Sequence, residues 1–367
     1  MKNVAGDLTE TTKKRFRPAR GMAAGIAVCA LTAALSGCVL SASSVFAADK
    51  KKSRDVFAMD TYMTLTTYGD HADEAIDGAV EEIHRLDALL TTGSGTSEVG
   101  QINEAQQNSY LLSEDTASLM ESSLLLYEAT DGAFDLTVYP LMKLWGFTDG
   151  NFRVPSQEEI DAALGVVGAD AIEYDASSGR VTFDKNGMEI DFGGIAKGYT
   201  SDRLMELFRE HGVESAIVSL GGNVQALGKK PDGSPWKVGI QTPEEDGRYL
   251  GIVEIEDQAV ITSGGYERFF EEDGRTYHHI LDPETGYPAE SGLLSVTIVS
   301  PDGTLADGLS TSLFVMGEEK AVDFWKAHGE AFGFEFVLLT DEGRLLASDG
   351  LRDALTSDYA KIEWVEG

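Results

Sequence analysis

Asp307 and Thr311 stand four residues apart in TLADGLSTSLFVMG, a stretch whose pattern predicts a helix, so the carboxylate and the hydroxyl share one face with Ser310 beside them. Oxygen donors of this kind suit a hard cation such as Mg²⁺, which keeps several waters and is commonly completed by substrate phosphates. The same residue types also serve N-terminal capping and helix-face hydrogen bonding. In YHHILDPETGYP, two of the six histidines, His278 and His279, precede a DP turn. A strand sends neighbours to opposite faces, so at most one of them enters a given site. There a histidine can take a proton from an attacking hydroxyl near neutral pH, although either one can equally be structural.

DFGGIAKGYTSDRL, residues 191–204, sets a Gly-Gly turn and a lone lysine, Lys197, directly before a helical pattern at Ile195, Tyr199, Leu204, Leu207 and Phe208. A helix N-terminus beside glycines suits an anion, and the same stretch also reads as an ordinary strand-to-helix turn. SLGGNVQALG and ITSGGYERFF each place a glycine pair at a strand end, which admits a close ligand or merely makes a tight turn. The aromatics of DGAFDLTVYPLMKLWGF, including Phe134, read as core.

The elements that must hold these residues are mixed. DVFAMDTYMTLTTYG alternates like a strand, and DHADEAIDGAVEEIHRLDALL follows with helical spacing at Ala75, Ala79, Ile83, Leu86 and Leu90. SEDTASLMESSLLLYEATDG reads as a helix capped by Ser113 and stopped by Gly132, and RVPSQEEIDAALGVVG as a short amphipathic one. AIEYD, RVTFD and MEIDFGG look like a meander, and strands dominate from there until LLSVTIVS, two further helices and a closing hairpin, FEFVLLT with RLLASDG. Without regular βαβ alternation this predicts one compact α+β unit of mixed and antiparallel sheets with helices, not a doubly wound sheet.

At 367 residues and 42% hydrophobic content the chain has the composition of a globular protein. Its formal net charge of -33, from 62 acidic against 29 basic residues, argues against nucleic acid as a partner. A phosphate-bearing ligand therefore needs a local remedy, such as a metal ion. Lys13, Lys14, Arg15, Arg17 and Arg20 precede the uncharged run GMAAGIAVCALTAALSGC, the layout of an export signal. Leu35-Ser36-Gly37-Cys38 resembles a bacterial lipobox with Cys38 as the lipidated residue, whereas Cys29 follows bulky Val28. Cleavage near VFAA at 45–48, or retention as an uncleaved anchor, are the alternatives. Cys29 and Cys38 are the only cysteines, so the mature part has no disulfide or thiolate metal site. The expected organisation is a signal peptide with lipobox over 1–38, a tether over 39–54 and one folded domain over 55–367, exported and lipid-anchored on the outer face of the bacterial cytoplasmic membrane.

Taken in order, MDTYMT, SEVGQIN, TDGAFDLTVYPLMKLWGF, DFGGIAKGY, SLGGNV, WKVGIQTP, ITSGGYERFF, YHHILDPETGYP and ADGLSTSLFVMG make almost everything after the tether resemble the ApbE-type FAD:protein FMN transferases. The resemblance implies a T-fold-like catalytic domain that moves the FMN half of FAD onto a threonine of a client flavoprotein and releases AMP, with Mg²⁺ as cofactor. It implies that Met59, Ala133, Phe134, Asp135, Asp191, Lys197 and Ile280 border the FAD, that Glu98 and Asn103 frame the flavin side, and that Thr262 is a further candidate. It places the metal on the carbonyl of Gly194 and on Asp307 and Thr311, with Ser310 as an additional ligand candidate, and makes His279 the catalytic base. Two departures stand out: Met59-Asp60-Thr61 where the family often has Met-Gly-Thr, and Gly93, Ser94 and Gly95 where it often has an aromatic. A metal-dependent FAD pyrophosphatase and a flavin-binding lipoprotein without catalysis are the rival readings.

Overall fold

The computed structural model describes residues 50–244 and 247–367. The expected signal peptide, Cys38 and the tether up to residue 49 lie outside the described residues. Among the described residues no helix is long and apolar enough to cross a membrane.

A nine-stranded sheet runs through the molecule in the order Lys51–Ala58, Thr61–Tyr68, Ser215–Leu220, Asn223–Leu227, Ala259–Gly264, Leu293–Ser300, Glu335–Thr340, Leu345–Ser348 and Ile362–Val365. All neighbours are antiparallel except the last pair. Period-two alternation decides what covers each face. Ile261, Ile298, Phe336 and Leu338 point into one core with Leu309, Leu313 and Phe314 of the Gly303–Phe332 helix. Their neighbours Val260, Val299, Val337 and Leu339 point the other way, onto Trp236, Val238 and Val253 of a three-stranded sheet. Both faces of the central strands are thus buried, and this is why LLSVTIVS reads as a nearly continuous apolar run. The Ala72–Leu90 and Ala196–Glu210 helices pack on the sheet beside the Gly303–Phe332 helix, with Ala75, Ile76, Ala79 and Ile83 meeting Leu204, Met205 and Phe208.

Three expectations change. The opening strand is two strands joined at Met59 and Asp60, whose φ values of 48° and 57° make a two-residue hairpin turn, a conformation that glycine adopts freely and aspartate tolerates. The folded part begins before the expected residue 55, because Lys51 to Arg54 already pair with Leu65 to Tyr68, and Lys52 and Arg54 meet Asp73 and Asp77. The third limb of the meander, MEIDFGG, joins no sheet. The Asn103 amide bonds it instead, donating to Ile190 O at 2.9 Å and accepting from Ile190 N at 2.8 Å. The helical segment from 303 to 332 breaks at Gly317, φ 79°, in keeping with the two helices expected there.

Candidate functional site

Three separated segments converge where the Ala196–Glu210 helix begins against the first turns of the Gly303–Phe332 helix. Gly198 makes the approach possible: a Cβ there would stand 2.1 Å from Gly303 O and 2.7 Å from Asp307 Cβ. The Asp307 carboxylate is buried in this contact. Its Oδ2 accepts from Gly198 N at 2.8 Å, and its Oδ1 accepts from Asn223 Nδ2 at 2.9 Å and lies 3.9 Å from Lys197 Nζ. Each oxygen keeps lone-pair capacity for a further partner. Thr311, one turn further on, is half-buried. Gly194 lies beside it, since a Cβ at Gly194 would stand 4.0 Å from Thr311 Oγ1 and 3.3 Å from the Phe134 ring.

The third segment brings His279. His278 closes the Arg275–His278 strand and turns inward, its Nε2 3.1 Å from Ala289 O and its ring edge-on to Phe314. Burial lowers its pKa. His279 leaves on the other side, and its Nδ1 lies 3.2 Å from Arg268 O. A carbonyl only accepts, so Nδ1 carries the hydrogen and Nε2 is left as the basic nitrogen. Burial in the cleft, then the charges of Arg268, His278 and Lys197, push its pKa down to about 3, so the ring is neutral at physiological pH.

Glu267 and Arg268 complete the cluster. The Glu267 carboxyl is pushed up to about 7, first by desolvation and then, against the pull of Lys197 and Arg268, by Asp307. Asp191, whose Oδ1 accepts from Gly193 N at 2.9 Å, is raised by burial against the pull of Arg268 and Lys197. Glu267 is open to solvent, and Asp191 and His279 are partly so. All three are nonetheless surrounded by protein, the combination expected of a concave cleft. Asp191 and Asp307 thus face Lys197 and Arg268, and Glu267 adds negative charge as it ionises.

The structure therefore gathers Asp191, Gly194, Lys197, His279, Asp307 and Thr311, with Phe134 beneath Gly194. Met59 Sδ lies 3.7 Å from Thr200 Oγ1, less than one helical turn beyond Lys197. Ala133 is half-buried in the turn before Phe134, and Ile280, next to His279, is buried. Five other expected residues are engaged elsewhere. Glu98 is buried and accepts Ser113 N, Ser113 Oγ and Thr116 Oγ1, capping the Glu114–Ala129 helix in place of the Ser113 side chain. Asn103 holds the 190 segment. Asp135 accepts Thr137 N and Oγ1 and Ala169 N in the core. Thr262 pairs with Thr297 across two strands at 2.8 Å. Ser310 is fully buried, donating to Asp307 O at 2.8 Å and lying 2.7 Å from Ser263 Oγ. Asn223, Ser263, Glu267 and Arg268 were not anticipated. All four stand in the motifs SLGGNV and ITSGGYERFF, whose glycine pairs and Thr262 are the residues the sequence singles out.

The donor set fits a hard cation: a carboxylate and a hydroxyl four residues apart, with a glycine backbone beside them. Among the described residues no three His, Cys, Asp or Glu side chains form a cage of their own.

The ApbE family model matches residues 59–333. A Klebsiella pneumoniae protein named FAD:protein FMN transferase is 38% identical over 251 residues, 68% of this chain and 78% of the relative. One of the same name from Haemophilus influenzae is 30% identical over 88% of this chain and 98% of its own length. Among solved structures, the ApbE protein of Thermotoga maritima superposes with a TM-score of 0.77 at 36% identity, covering 83% of this chain and 99% of that one. The flavin transferase ApbE of Vibrio cholerae gives 0.74 at 27% identity over the same shares.

Proposed function

The chain belongs to the ApbE family, and from that premise we propose that it is an FAD:protein FMN transferase, moving the FMN half of FAD onto a threonine hydroxyl of an exported client protein and releasing AMP. The observation that carries this reading is the convergence of His279, Lys197 and Asp307 from three parts of the chain onto one cleft. Asp307, Thr311 and the Gly194 carbonyl would hold Mg²⁺, which when bound supplies the positive charge that a pyrophosphate needs beside these carboxylates. Lys197 and Arg268 add fixed cationic charge beside the same anion. His279, neutral and with Nε2 unprotonated, accepts the proton of the client threonine as its oxygen attacks in line at the phosphorus nearer the riboflavin. The bond from that phosphorus to the bridging oxygen breaks, and AMP carries the oxygen away. Phe134 supports Gly194 from below, and Asn103 and Asp191 fix the loop that leads into it. Lipidation at Cys38 would keep enzyme and exported clients on the same side of the membrane.

Purified protein incubated with FAD and Mg²⁺, with and without a threonine-bearing client, tests the reading by in-gel flavin fluorescence and by AMP release. Covalent labelling of the client supports it. FMN and AMP formed at the same rate in both arms without labelling would make the protein an FAD pyrophosphatase, and no turnover in either would leave only flavin binding.

A further inference from the structure

We infer that Ser263, at the end of the Ala259–Gly264 strand, is a positioning residue that turns the Thr311 hydroxyl into an acceptor aimed at the cation site. The inference rests on the reading of Asp307 and Thr311 as cation ligands.

Ser263 Oγ lies 2.7 Å from Ser310 Oγ and 3.2 Å from Thr311 Oγ1. In either pair alone, each hydroxyl could donate. The third bond removes the ambiguity. Ser310 Oγ lies 2.8 Å from the backbone carbonyl of Asp307, which has no hydrogen to give, so the single Ser310 hydrogen is committed there. Ser310 must then accept from Ser263. The Ser263 hydrogen is committed in turn, so Ser263 must accept from Thr311. The chain has one polarity: Thr311 to Ser263, Ser263 to Ser310, Ser310 to the Asp307 carbonyl.

The consequence falls on Thr311. A hydroxyl that coordinates a cation must present a lone pair and keep its hydrogen away from the charge. Free to rotate, it would sample both orientations, and partners that orient metal ligands typically alter affinity by 10–100-fold. Here the hydrogen is drawn toward the strand. Strand alternation explains why Ser263 does this and Thr262 does not: Ile261 and Ser263 face the Gly303–Phe332 helix, while Thr262 faces the other side and pairs with Thr297. Ser310 sits at the centre of the relay, with no solvent exposure, anchoring it to the same helix turn that carries Asp307.

The test is Mn²⁺ binding to the purified protein in the presence of FAD and without client, read from the EPR signal of free Mn²⁺, beside a melting curve for each variant. Ser263→Ala is expected to raise the Mn²⁺ dissociation constant by about 10–100-fold. The Mg²⁺ concentration for half-maximal labelling of a client should rise by a similar factor. Ser263→Thr, which keeps the hydroxyl, should restore binding. Ser310→Ala removes the acceptor that fixes the Ser263 hydrogen, so it should weaken binding too, and the double variant should lose no more than Ser263→Ala alone, because both act through one chain. Ser310→Ala also keeps the test open if Ser263→Ala does not fold. Wild-type Mn²⁺ affinity in both alanine variants, with affinity lost in Thr311→Val, would overturn the inference and leave the cation site standing. Equal losses in Ser263→Ala and Ser263→Thr would overturn it as well. Wild-type affinity in both Thr311→Val and Asp307→Asn would instead remove the cation reading on which it rests.

Discussion

Asp307 Oδ2 accepts the backbone N–H of Gly198 at 2.8 Å, so the carboxylate proposed as a cation ligand also holds the start of the helix that carries Lys197. With Asn223 Nδ2 on its other oxygen, Asp307 is fixed by two donors from outside its own helix. The carboxylate is thus set in place without a metal, which lowers the ordering cost when one arrives.

Asp307→Asn should therefore fail twice. An amide has one acceptor oxygen, so once that oxygen meets Gly198 N its NH₂ faces Asn223, which must flip its own amide to accept or leave a buried donor unpaired at a cost of about 1–3 kcal/mol. It also removes the charge. The expectation is a lower melting midpoint together with client labelling that does not recover at high Mg²⁺. Labelling restored to the wild-type level by added Mg²⁺ would show that the charge of Asp307 is dispensable.

Gly198→Ala separates position from charge. The new methyl would meet Gly303 O and Asp307 Cβ, so the two helices must part, with a stability loss of about 1–3 kcal/mol. Labelling should fall although every proposed ligand remains. A variant with normal melting and normal labelling would mean that the close helix contact does not set the site.

His279→Ala should lower the transfer rate by about 10²–10⁴-fold with little change in FAD affinity, while His278→Ala, which loses a core contact with Phe314 and a bond to Ala289 O, should mainly lower the melting midpoint. The pH profile carries more information. Lys197 and Arg268 help depress the His279 pKa in the free protein, and bound pyrophosphate offsets their charge. The acidic limb of kcat, which reports the substrate complex, should then lie at higher pH than that of kcat/KM, which reports the free enzyme. Coincident limbs would exclude His279 as the group titrating.

Most of the helices, the hairpins and the residues nearest the cleft were legible because local pattern decides them. Asp307 and Thr311 share a face by helix spacing, and His278 and His279 part company at a strand end. What stayed hidden depends on partners distant in sequence. Glu98 caps a helix that starts 16 residues later, and Asn103 stands in for a strand neighbour 87 positions away. Neither bond leaves a periodic trace. Thr262 and its neighbour Ser263 look alike in the sequence, which shows that a strand alternates without showing which of the two faces the Gly303–Phe332 helix.

Cys38→Ala should move the protein out of the membrane fraction, given a basic segment, an apolar run and Leu-Ser-Gly-Cys in the order required for export and lipid attachment. Mass spectrometry of the mature N-terminus provides the second reading. A wild-type chain that begins near residue 48 without lipid would favour cleavage at VFAA.

Glu267 gives a prediction about stability with its sign fixed by the cleft. Burial and the neighbouring Asp307 raise its carboxyl from the ordinary 4.5 to about 7, so between those values the folded protein holds a proton that the unfolded chain has released. The protonated group contributes its full stability below pH 4.5, and that contribution is lost as pH rises through 7. Wild-type protein should thus melt at lower temperature at pH 8.5 than at pH 6, and Glu267→Gln, neutral throughout, should flatten that slope and melt higher than wild type at pH 8.5. The side chain is open to solvent, so screening keeps the effect modest. Added Mg²⁺ should shrink the wild-type slope toward that of Glu267→Gln, because a cation held by Asp307 removes the repulsion that favours the protonated form. Melting curves from pH 5.5 to 8.5 in EDTA and in Mg²⁺ make the comparison. Parallel slopes for the two proteins in EDTA would show that Glu267 does not titrate in this range, and a Mg²⁺-insensitive wild-type slope would place the cation away from Asp307.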